Sequence, residues 1–425
     1  MYRGVVWVLF FGMCSGAYAQ SQPAAGELLP RFRGALRETL RQLPDYTCIE
    51  TIARTRRSSA QAPFEPLDTI RVQVGLIGGK ERYAWPDAAR FDDRELRDLA
   101  GRGVIGTGNF ASHVQHVFLS PATQFTAAGG GILDGHNAAR FDYALPVEYS
   151  RYTIRVPPHE AEVGVRGSFW FDPSTLDLLR LEVLADEIPP ELGLAGVNVT
   201  IGYARTRIGD SDFLLPNTSQ LTMTSPDGGE YRNQITFGEC RQFRAQSQLR
   251  TEIDDAGANT PVPGAAGTAL PASLSIDLTL DSDIDPETAA IGDSVQAVVS
   301  RPVRDDTSVL VPDGAVVHGR LVRLERSALP FDHYVVGLEF HTIEAAGARF
   351  DFFATMQSAG PASGLLQQAK RLKPVFTRKR TGRFDILVRE KPRGEGILHW
   401  DAKRAPIRRG LKMRWLTADP AGLAP

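Results

Sequence analysis

The chain has 425 residues, of which 42% are hydrophobic and 23% charged, and its formal net charge is −2 at pH 7. The length predicts about two or three domains, and the composition is that of a folded chain rather than a disordered one. A net charge near zero argues against nucleic acid as a partner, because proteins that bind it carry an excess of positive charge.

The first residues are typical of an export signal. Arg3 is followed by the apolar run Val5–Met13 and by Ala17-Tyr18-Ala19, a small-x-small pattern that favours cleavage before Gln20. The run is shorter than the ~20 apolar residues that span a bilayer, and no later run is long and uncharged enough to do so. We therefore expect a signal peptide at residues 1–19, no transmembrane segment in the mature chain and a periplasmic or secreted location.

Removal of this signal leaves Cys48 and Cys240 as the only cysteines. An exported protein meets an oxidising compartment, so the sequence predicts a disulfide between them. The long loop that it closes corresponds to about 5 kcal/mol in the chain-entropy treatment. The alternative is a pair of buried free thiols.

Charge is distributed unevenly along the chain. Residues 251–300 contain nine acidic residues and no Lys or Arg, whereas residues 361–425 contain sixteen Lys or Arg and five Asp or Glu. The two segments can lie side by side in one domain and neutralise each other. Alternatively, the basic segment forms a face for anionic envelope polymers or lipid headgroups.

The N-terminal part begins with a helix and continues with strands. Apolar residues recur at helical spacing over Glu27–Leu43, and Pro44 ends the pattern. Thr69–Val74 and Lys80–Trp85 alternate in polarity around the turn Gly78-Gly79, which predicts a hairpin. Two further helices are predicted at Phe91–Ala100 and near Ser112–Leu119, and further strands at Thr123–Ala127, Ala139–Leu145, Arg151–Val156, Ser168–Phe171, Leu178–Leu184, Val197–Arg205, Phe213–Leu215, Ser219–Thr224 and Glu230–Phe237.

A low-complexity stretch separates this part from a second β region. Residues 251–272 read as a linker between a domain at residues 20–250 and a β-rich domain with a basic end at residues 273–425. Many short strands with short links predict a mainly β fold with a few helices: a curved antiparallel sheet, or half-barrel, and a second small β barrel or sandwich. The strands predicted in the second region are Leu274–Leu280, Ser294–Ser300, Ser308–Val311, Val316–Leu324, Tyr334–Phe340, Phe350–Thr355, Phe384–Val388, Ile397–Trp400 and Lys412–Leu416.

Two segments resemble known families. The leading amphipathic helix, the long meander and the segment Gly167–Val183, with its Asp172-Pro173-Ser174-Thr175 turn, resemble the outer-membrane lipoprotein carriers of the Lol type and regulators of the RseB kind. That resemblance implies a curved sheet over an apolar cavity, closed by helices, that binds lipid or lipoprotein acyl chains. The chain as a whole is similar to uncharacterised exported bacterial proteins.

The second resemblance concerns the C-terminal region. Gly292-Asp293-Ser294-Val295 and the later Val311–Leu321, which contains a Val-Pro-Asp-Gly turn, are similar to the β domain of TrbI-type conjugation channel proteins. This resemblance implies an envelope scaffold rather than an enzyme. The same turn also occurs wherever Pro and Gly are needed at fixed turn positions.

Three motifs resemble cofactor or metal sites. Residues 101–106 spell a dinucleotide fingerprint, but a charged helix rather than a strand precedes them, so we expect a loop that ends a helix. His113, His116 and His136 have no acidic partner at ligand spacing. Residues 281–292 begin like a calcium loop but have Pro at its sixth position and Gly at its twelfth. We expect neither a metal nor a cofactor.

The sequence contains no Gly-x-Ser-x-Gly or His-Glu-x-x-His pattern, and we identify no catalytic residue. The aromatic side chains of the N-terminal strands can line an apolar ligand site or pack an ordinary sheet core. The candidates for ligand contact are Phe141, Tyr143, Phe169, Trp170 and Phe171. We expect an exported, non-enzymatic envelope protein that binds an apolar ligand, such as a lipid or a lipoprotein tail, or a partner segment. The alternatives are a scaffold that contacts anionic envelope polymer through its basic C-terminal region and, third, an envelope hydrolase.

Overall fold

The computed structural model describes residues 25–86, 88, 91, 95–100, 104–243, 268–304, 308–328, 331–360, 365 and 394–419. Four predictions fall wholly or largely outside these residues: the signal peptide, most of the linker, the strand Phe384–Val388 and much of the basic C-terminal segment. None of the helices in the described ranges has the length and apolar character needed to cross a membrane.

In the described part of the N-terminal half, four α-helices are present: α1 (Ala25–Gln42), α2 (Leu96–Ala100), α3 (Ser112–Leu119) and α4 (Val147–Ser150). The predictions of α1 and α3 are confirmed. Helix α2 begins later than predicted, because Phe91 packs edge-on against Phe243, with 5.7 Å between the ring centroids, instead of starting a helix. The single turn of α4 was not predicted.

The N-terminal strands form one antiparallel sheet in the order β3-β2-β1-β11-β10-β9-β8-β7-β5-β4, with β6 paired to β7. The predicted hairpin is confirmed as β2 and β3. The pieces predicted at Phe213–Leu215 and Ser219–Thr224 are one strand, whose register shifts between Pro216 and Thr218. The strands are β1 (Tyr46–Arg57), β2 (Glu65–Ile77), β3 (Lys80–Ala84), β4 (Gln124–Leu133), β5 (His136–Leu145), β6 (Tyr152–Val156), β7 (His159–Phe171), β8 (Leu178–Asp186), β9 (Gly196–Ile208), β10 (Ser211–Thr224) and β11 (Glu230–Gln242).

This sheet is curled into a half-barrel. Long strands each add right-handed twist, and register shifts within the β1–β11, β1–β2, β4–β5 and β7–β8 pairs bend the sheet further. Helix α1 lies over the concave face and buries Leu28, Phe32 and Leu36, which are four residues apart. The predicted fold class is confirmed for this half.

The C-terminal strands form a small barrel. The order is β12-β19-β18-β17-β14-β13-β22-β20, and β21 pairs with β18. The backbone N–H of Met356 donates to Glu395 O at 3.3 Å, which joins β20 to the start of β21 and closes the ring. The barrel strands are β12 (Thr268–Ala269), β13 (Ser275–Leu280), β14 (Ser294–Val299), β17 (Val316–Ser327), β18 (His333–Ala345), β19 (Ala348–Asp351), β20 (Ala354–Ala359), β21 (Gly396–Asp401) and β22 (Lys412–Thr417). The strands β15 (Val303–Arg304) and β16 (Val309–Val311) form a separate two-stranded sheet.

The barrel is filled by side chains. Trp415 is fully buried, and its ring meets Phe340 edge-on at 5.2 Å. Gly396 makes this possible, because a Cβ atom there would lie 2.7 Å from the Trp415 ring. The predicted strand Phe350–Thr355 is instead the end of β19 and the start of β20, with the buried Phe352 between them.

The disulfide prediction is confirmed. Cys48 and Cys240 are bonded across the β1–β11 pair, beside the register shift between Thr47 and Ile49. The bonded residues are separated by 192 positions in sequence. The bond therefore links β1 and β11, the first and last strands of the half-barrel in chain order, which are neighbours in the sheet.

The acidic and basic segments meet in the barrel, as one of the two alternatives requires. Strands β13 and β22 pair, and Arg414 donates to Asp277 at 2.8 Å. Arg408 donates to Asp283 at 2.8 Å, and the Arg409 backbone N–H donates to the same carboxylate. In the described residues, part of the charge asymmetry is therefore neutralised within one domain.

Candidate functional site

A closed apolar cavity lies between α1, the start of α3 and the concave face of the half-barrel. Its volume is about 20 Å³, which is room for about one water molecule. The walls are mostly aliphatic and aromatic, and two tyrosines contribute to them. The lining residues include Leu36, Thr39, Leu40 and Leu43 from α1 and the turn after it, Phe110, Ala111 and Val114 around α3, and Tyr46, Leu178, Tyr203 and Leu214 from the strands.

Helix α1 is seated on this face by a group of aromatic rings. Phe32 is fully buried and stacks on Phe171 with 4.3 Å between the centroids, and on Phe169 with 5.4 Å. Phe118 of α3 meets Phe32 edge-on at 5.4 Å. These contacts lie under the first half of α1, whereas the cavity lies under its second half.

Polar contacts contribute little to this seating. Across the described residues, a single hydrogen bond joins α1 to another element: Arg33 Nη2 donates to Phe118 O at 3.0 Å. The guanidinium also lies 5.1 Å from the centre of the Phe125 ring. Burial, followed by the charge of Arg37, lowers the pKa of Arg33. Helix α1 is therefore held mainly by apolar contacts, which a hydrocarbon ligand could replace.

The five aromatic residues predicted to contact a ligand lie in different surroundings. Phe141, Phe169 and Phe171 are buried in the aromatic group under α1, and Tyr143 is buried with its hydroxyl donating to Glu182 O at 2.8 Å. Trp170 lies on the opposite face of the sheet. The guanidinium carbons of Arg140 and Arg180 are 5.3 and 5.9 Å from the centre of its ring. None of the five lines the cavity described above, and their role in ligand binding stays a prediction.

Glu81 fixes the loop that leads into α3. One carboxylate oxygen accepts from the backbone N–H groups of Ala111 at 2.7 Å and Ser112 at 2.9 Å. The other accepts from the Gly108 N–H and from the hydroxyl of Tyr83, both at 2.9 Å. Glu81 therefore ties the end of this loop, next to the cavity wall, to β3, and Asn233 Nδ2 ties its start by donating to Val104 O at 3.0 Å.

Glu50 is a second acid inside the half-barrel, and it has no such donors. Its side chain is on the same side of β1 as those of Tyr46, Cys48 and Ile52, and it is only 2% exposed. It makes no hydrogen bond or ion pair with the described residues, and its Oε2 is fully enclosed. Burial, followed by the charge of Glu81, raises the pKa of Glu50 to about 8. A buried carboxyl without a partner is rare and requires an explanation.

His113 and Asn109 add further unpaired polar atoms near the same loop. The His113 ring packs on Gly108 and meets Tyr152 edge-on at 5.3 Å, and its Nε2 has no partner. Burial lowers the pKa of His113 to about 4, against the opposing effect of Glu81. Neither polar atom of the buried Asn109 side chain is bonded. This part of the interior therefore has spare hydrogen-bonding capacity.

In the described residues, the histidines and aspartates considered as metal ligands do not come together in one site. In the ranges that the structure describes, no group of three His, Cys, Asp or Glu side chains is placed to hold an ion. Asp283 accepts from Arg408, and Asp285 accepts from the Glu287 N–H at 3.1 Å. Both carboxylates therefore accept hydrogen bonds from groups of the barrel itself.

Glu50 and Glu81 were missed in the sequence. Glu50 did leave a signal: Tyr46, Cys48, Glu50 and Ile52 alternate along β1, so the glutamate falls on the apolar phase of a strand. A charged residue in that phase is seldom buried without a partner. Glu81 left no comparable signal, because its partners are backbone groups about thirty residues away in sequence.

No family of known protein sequences matches the chain, and neither does any curated protein. Solved structures do. A DUF1329 family protein from Desulfovibrio piger is 13% identical, with 52% of this chain and 92% of that chain covered and a TM-score of 0.28. A LolA superfamily protein from Nitrosomonas europaea is 9% identical, with 54% and 97% covered and a TM-score of 0.26.

The lipoprotein LppX from Mycobacterium tuberculosis is also similar, at 9% identity, with 51% of this chain and 96% of that chain covered and a TM-score of 0.19. These neighbours include the Lol-type class of protein named from the sequence. The resemblance of the C-terminal region to TrbI-type proteins stays a prediction.

Proposed function

We propose that the protein is an exported, non-enzymatic envelope protein that binds the acyl chain of a lipid or lipoprotein between α1 and the half-barrel, with α1 acting as a movable lid. The observation that supports this proposal is the apolar cavity under the second half of α1, a helix that makes a single hydrogen bond to other elements among the described residues. Ligand sites are typically apolar spaces with a few polar groups and volumes of roughly 300–1,000 Å³.

The cavity is too small for an acyl chain while α1 is seated, so binding requires α1 to move. Lifting α1 exposes Leu28, Phe32 and Leu36, at roughly 1.5–3 kcal/mol for each side chain. A bound chain recovers about 0.8 kcal/mol for each methylene that it buries. About six to eleven methylenes therefore offset the cost, and the site should favour medium and long chains over short ones.

The first test is uptake of straight-chain alcohols of increasing length by the full chain, measured by native mass spectrometry. We expect binding to begin at about eight to ten carbons and to strengthen with length. Thr39→Leu fills the cavity from α1 and should weaken uptake, because Thr39 is one of its lining residues. Arg41→Leu places the same side chain on the exposed side of the helix and should bind as the parent does. Equal uptake by both variants, or no uptake at any length, would overturn the proposal.

A further inference from the structure

Glu50 lies close behind the wall of the cavity. Phe110 forms part of that wall, and its ring is 4.9 Å from Tyr46 and 5.4 Å from Phe237. Phe237 is the residue paired directly with Glu50 across β1 and β11, so the two side chains share a face. Two aromatic rings, Phe110 and Phe237, therefore lead from the apolar cavity to the strand position opposite the unpaired carboxyl.

No cation of the described chain satisfies Glu50. The next basic residue on the same side of β1 is Arg54, whose Nε and Nη2 donate to Asp68 at 2.6 Å, while its buried Nη1 has no partner. The titratable groups that face the region are Glu81 and Tyr83 of β3, Tyr46 of β1, Tyr203 of β9, and His113 and His116 of α3. Burial lowers the pKa of His113, which keeps that ring neutral, and the charge of Glu81 raises the pKa of Glu50, so the surroundings of Glu50 favour a positive group.

We propose that Glu50 binds the ammonium head group of a single-chain amphiphile whose alkyl chain occupies the cavity under α1. This inference rests on the proposed function, because it requires the same cavity to open. The head group would reach Glu50 when Phe110 turns aside with its loop. The ligand class is then an alkyl amine or an aminolipid with one chain, rather than a free fatty acid.

The chemistry of the head group decides between these classes. An ammonium has three donors and no acceptor, so it supplies what the unpaired Glu50 oxygens lack. A carboxylate head would bring a negative charge into a region from which water is excluded, beside Glu81, whose charge already raises the pKa of Glu50. A hydroxyl head would donate one hydrogen bond without charge pairing. The expected order of affinity at equal chain length is amine, then alcohol, then carboxylate.

The test is calorimetric titration of the full chain with dodecylamine, dodecanol and dodecanoate below their micelle concentrations. We expect dodecylamine to bind at least about tenfold more tightly than dodecanoate. Glu50→Gln should remove this preference while the protein still binds dodecanol, because the Gln amide oxygen still accepts a hydrogen bond from a hydroxyl. Glu162→Gln, the same change at an exposed position of β7, should leave all three affinities unchanged and so controls for general attraction of amines to a negative surface.

Proton release gives a second readout. Pairing with an ammonium favours the charged form of Glu50, so amine binding at pH 7 should release about one proton per ligand, seen by titration in buffers of different ionisation enthalpy. Dodecanol and Glu50→Gln should release none. A preference for the amine that survives in Glu50→Gln would overturn this inference, and so would equal binding of amine and carboxylate. Failure of all three ligands, the alcohol included, would instead overturn the proposed function itself.

Discussion

Ile291 of the barrel lies beside Ile70 of the half-barrel in a parallel backbone bridge. The Ile291 N–H donates to Thr69 O at 2.8 Å, and Ile291 O accepts from the Arg71 N–H at 2.7 Å. Arg71 also pairs with Asp293. The proposed domains at residues 20–250 and 273–425 are therefore joined through main-chain hydrogen bonds, which resist sliding more than side-chain contacts alone.

Gly292 is the residue to change in order to test this junction. A Cβ atom there would lie 2.1 Å from Arg71 O, and φ is +102°. Gly292→Ala should therefore break the bridge and split the thermal unfolding of the chain into two transitions. Gly314→Ala controls for backbone strain alone, because φ is +77° there but nothing lies within 4 Å of the added atom. A single transition in both variants would contradict a separable pair of domains.

Glu50 should make the protein less stable in alkaline solution. Its pKa is raised from 4.5 to about 8, so the folded state holds the proton more tightly than the unfolded state does. The stability contributed by protonated Glu50 is fully present below pH 4.5 and is lost as the pH rises through 8, by up to ~1.4 kcal/mol for each pH unit. Glu50→Gln should match the parent at pH 5 and exceed it by several kcal/mol at pH 9 in urea unfolding.

The control for that comparison is Glu162→Gln, which removes an exposed carboxyl. It should follow the parent at both pH values. If Glu50→Gln also followed the parent at pH 9, Glu50 would have a partner that lowers its pKa in solution, and the head-group proposal would lose its basis.

His113 should act in the opposite direction. Burial lowers its pKa from 6.5 to about 4, so the unfolded state binds the proton more tightly. The stability it contributes is present above pH 6.5 and is lost as the pH falls through 4. His113→Phe should lose less stability than the parent between pH 7 and pH 5, by about 2 kcal/mol. His136→Gln, at an exposed position, should show the parent's acid sensitivity.

Much of the fold could be predicted because its signals are local. Helical spacing identified α1, alternation around Gly78-Gly79 identified the first hairpin, and compartment chemistry identified the bond between Cys48 and Cys240. Glu81 could not be found in this way, since the loop it holds meets it only in the folded chain. The same is true of barrel closure at Met356 and of the bridge at Ile291. Each depends on backbone groups, which carry no residue-specific pattern.

The ion pair between Arg54 and Asp68 should contribute more to the free energy of unfolding than the nearby pair between Arg56 and Glu65. The side chains are 4% and 9% exposed, so removing one partner leaves a buried charge uncompensated. Arg54→Met should cost ~3–5 kcal/mol in urea unfolding. Arg56→Met, two residues along β1, breaks an exposed pair with Glu65 at 3.9 Å and should cost less than about 1 kcal/mol. Equal costs would show that water reaches Arg54.

Arg33 should control how fast the lid opens. Arg33→Met removes the hydrogen bond to Phe118 O while keeping an apolar stem of similar length. A loss of about 1.5 kcal/mol corresponds to a roughly tenfold easier separation of α1 from the half-barrel. Hydrogen exchange of the α1 amides and the release rate of a bound long-chain alcohol should both rise by about that factor. Arg37→Met, one turn later on the exposed side of α1, should change neither rate. If Arg33→Met also left both rates unchanged, seating of α1 would rest on Phe32 and its aromatic neighbours alone, and Phe32→Leu would become the variant that opens the lid.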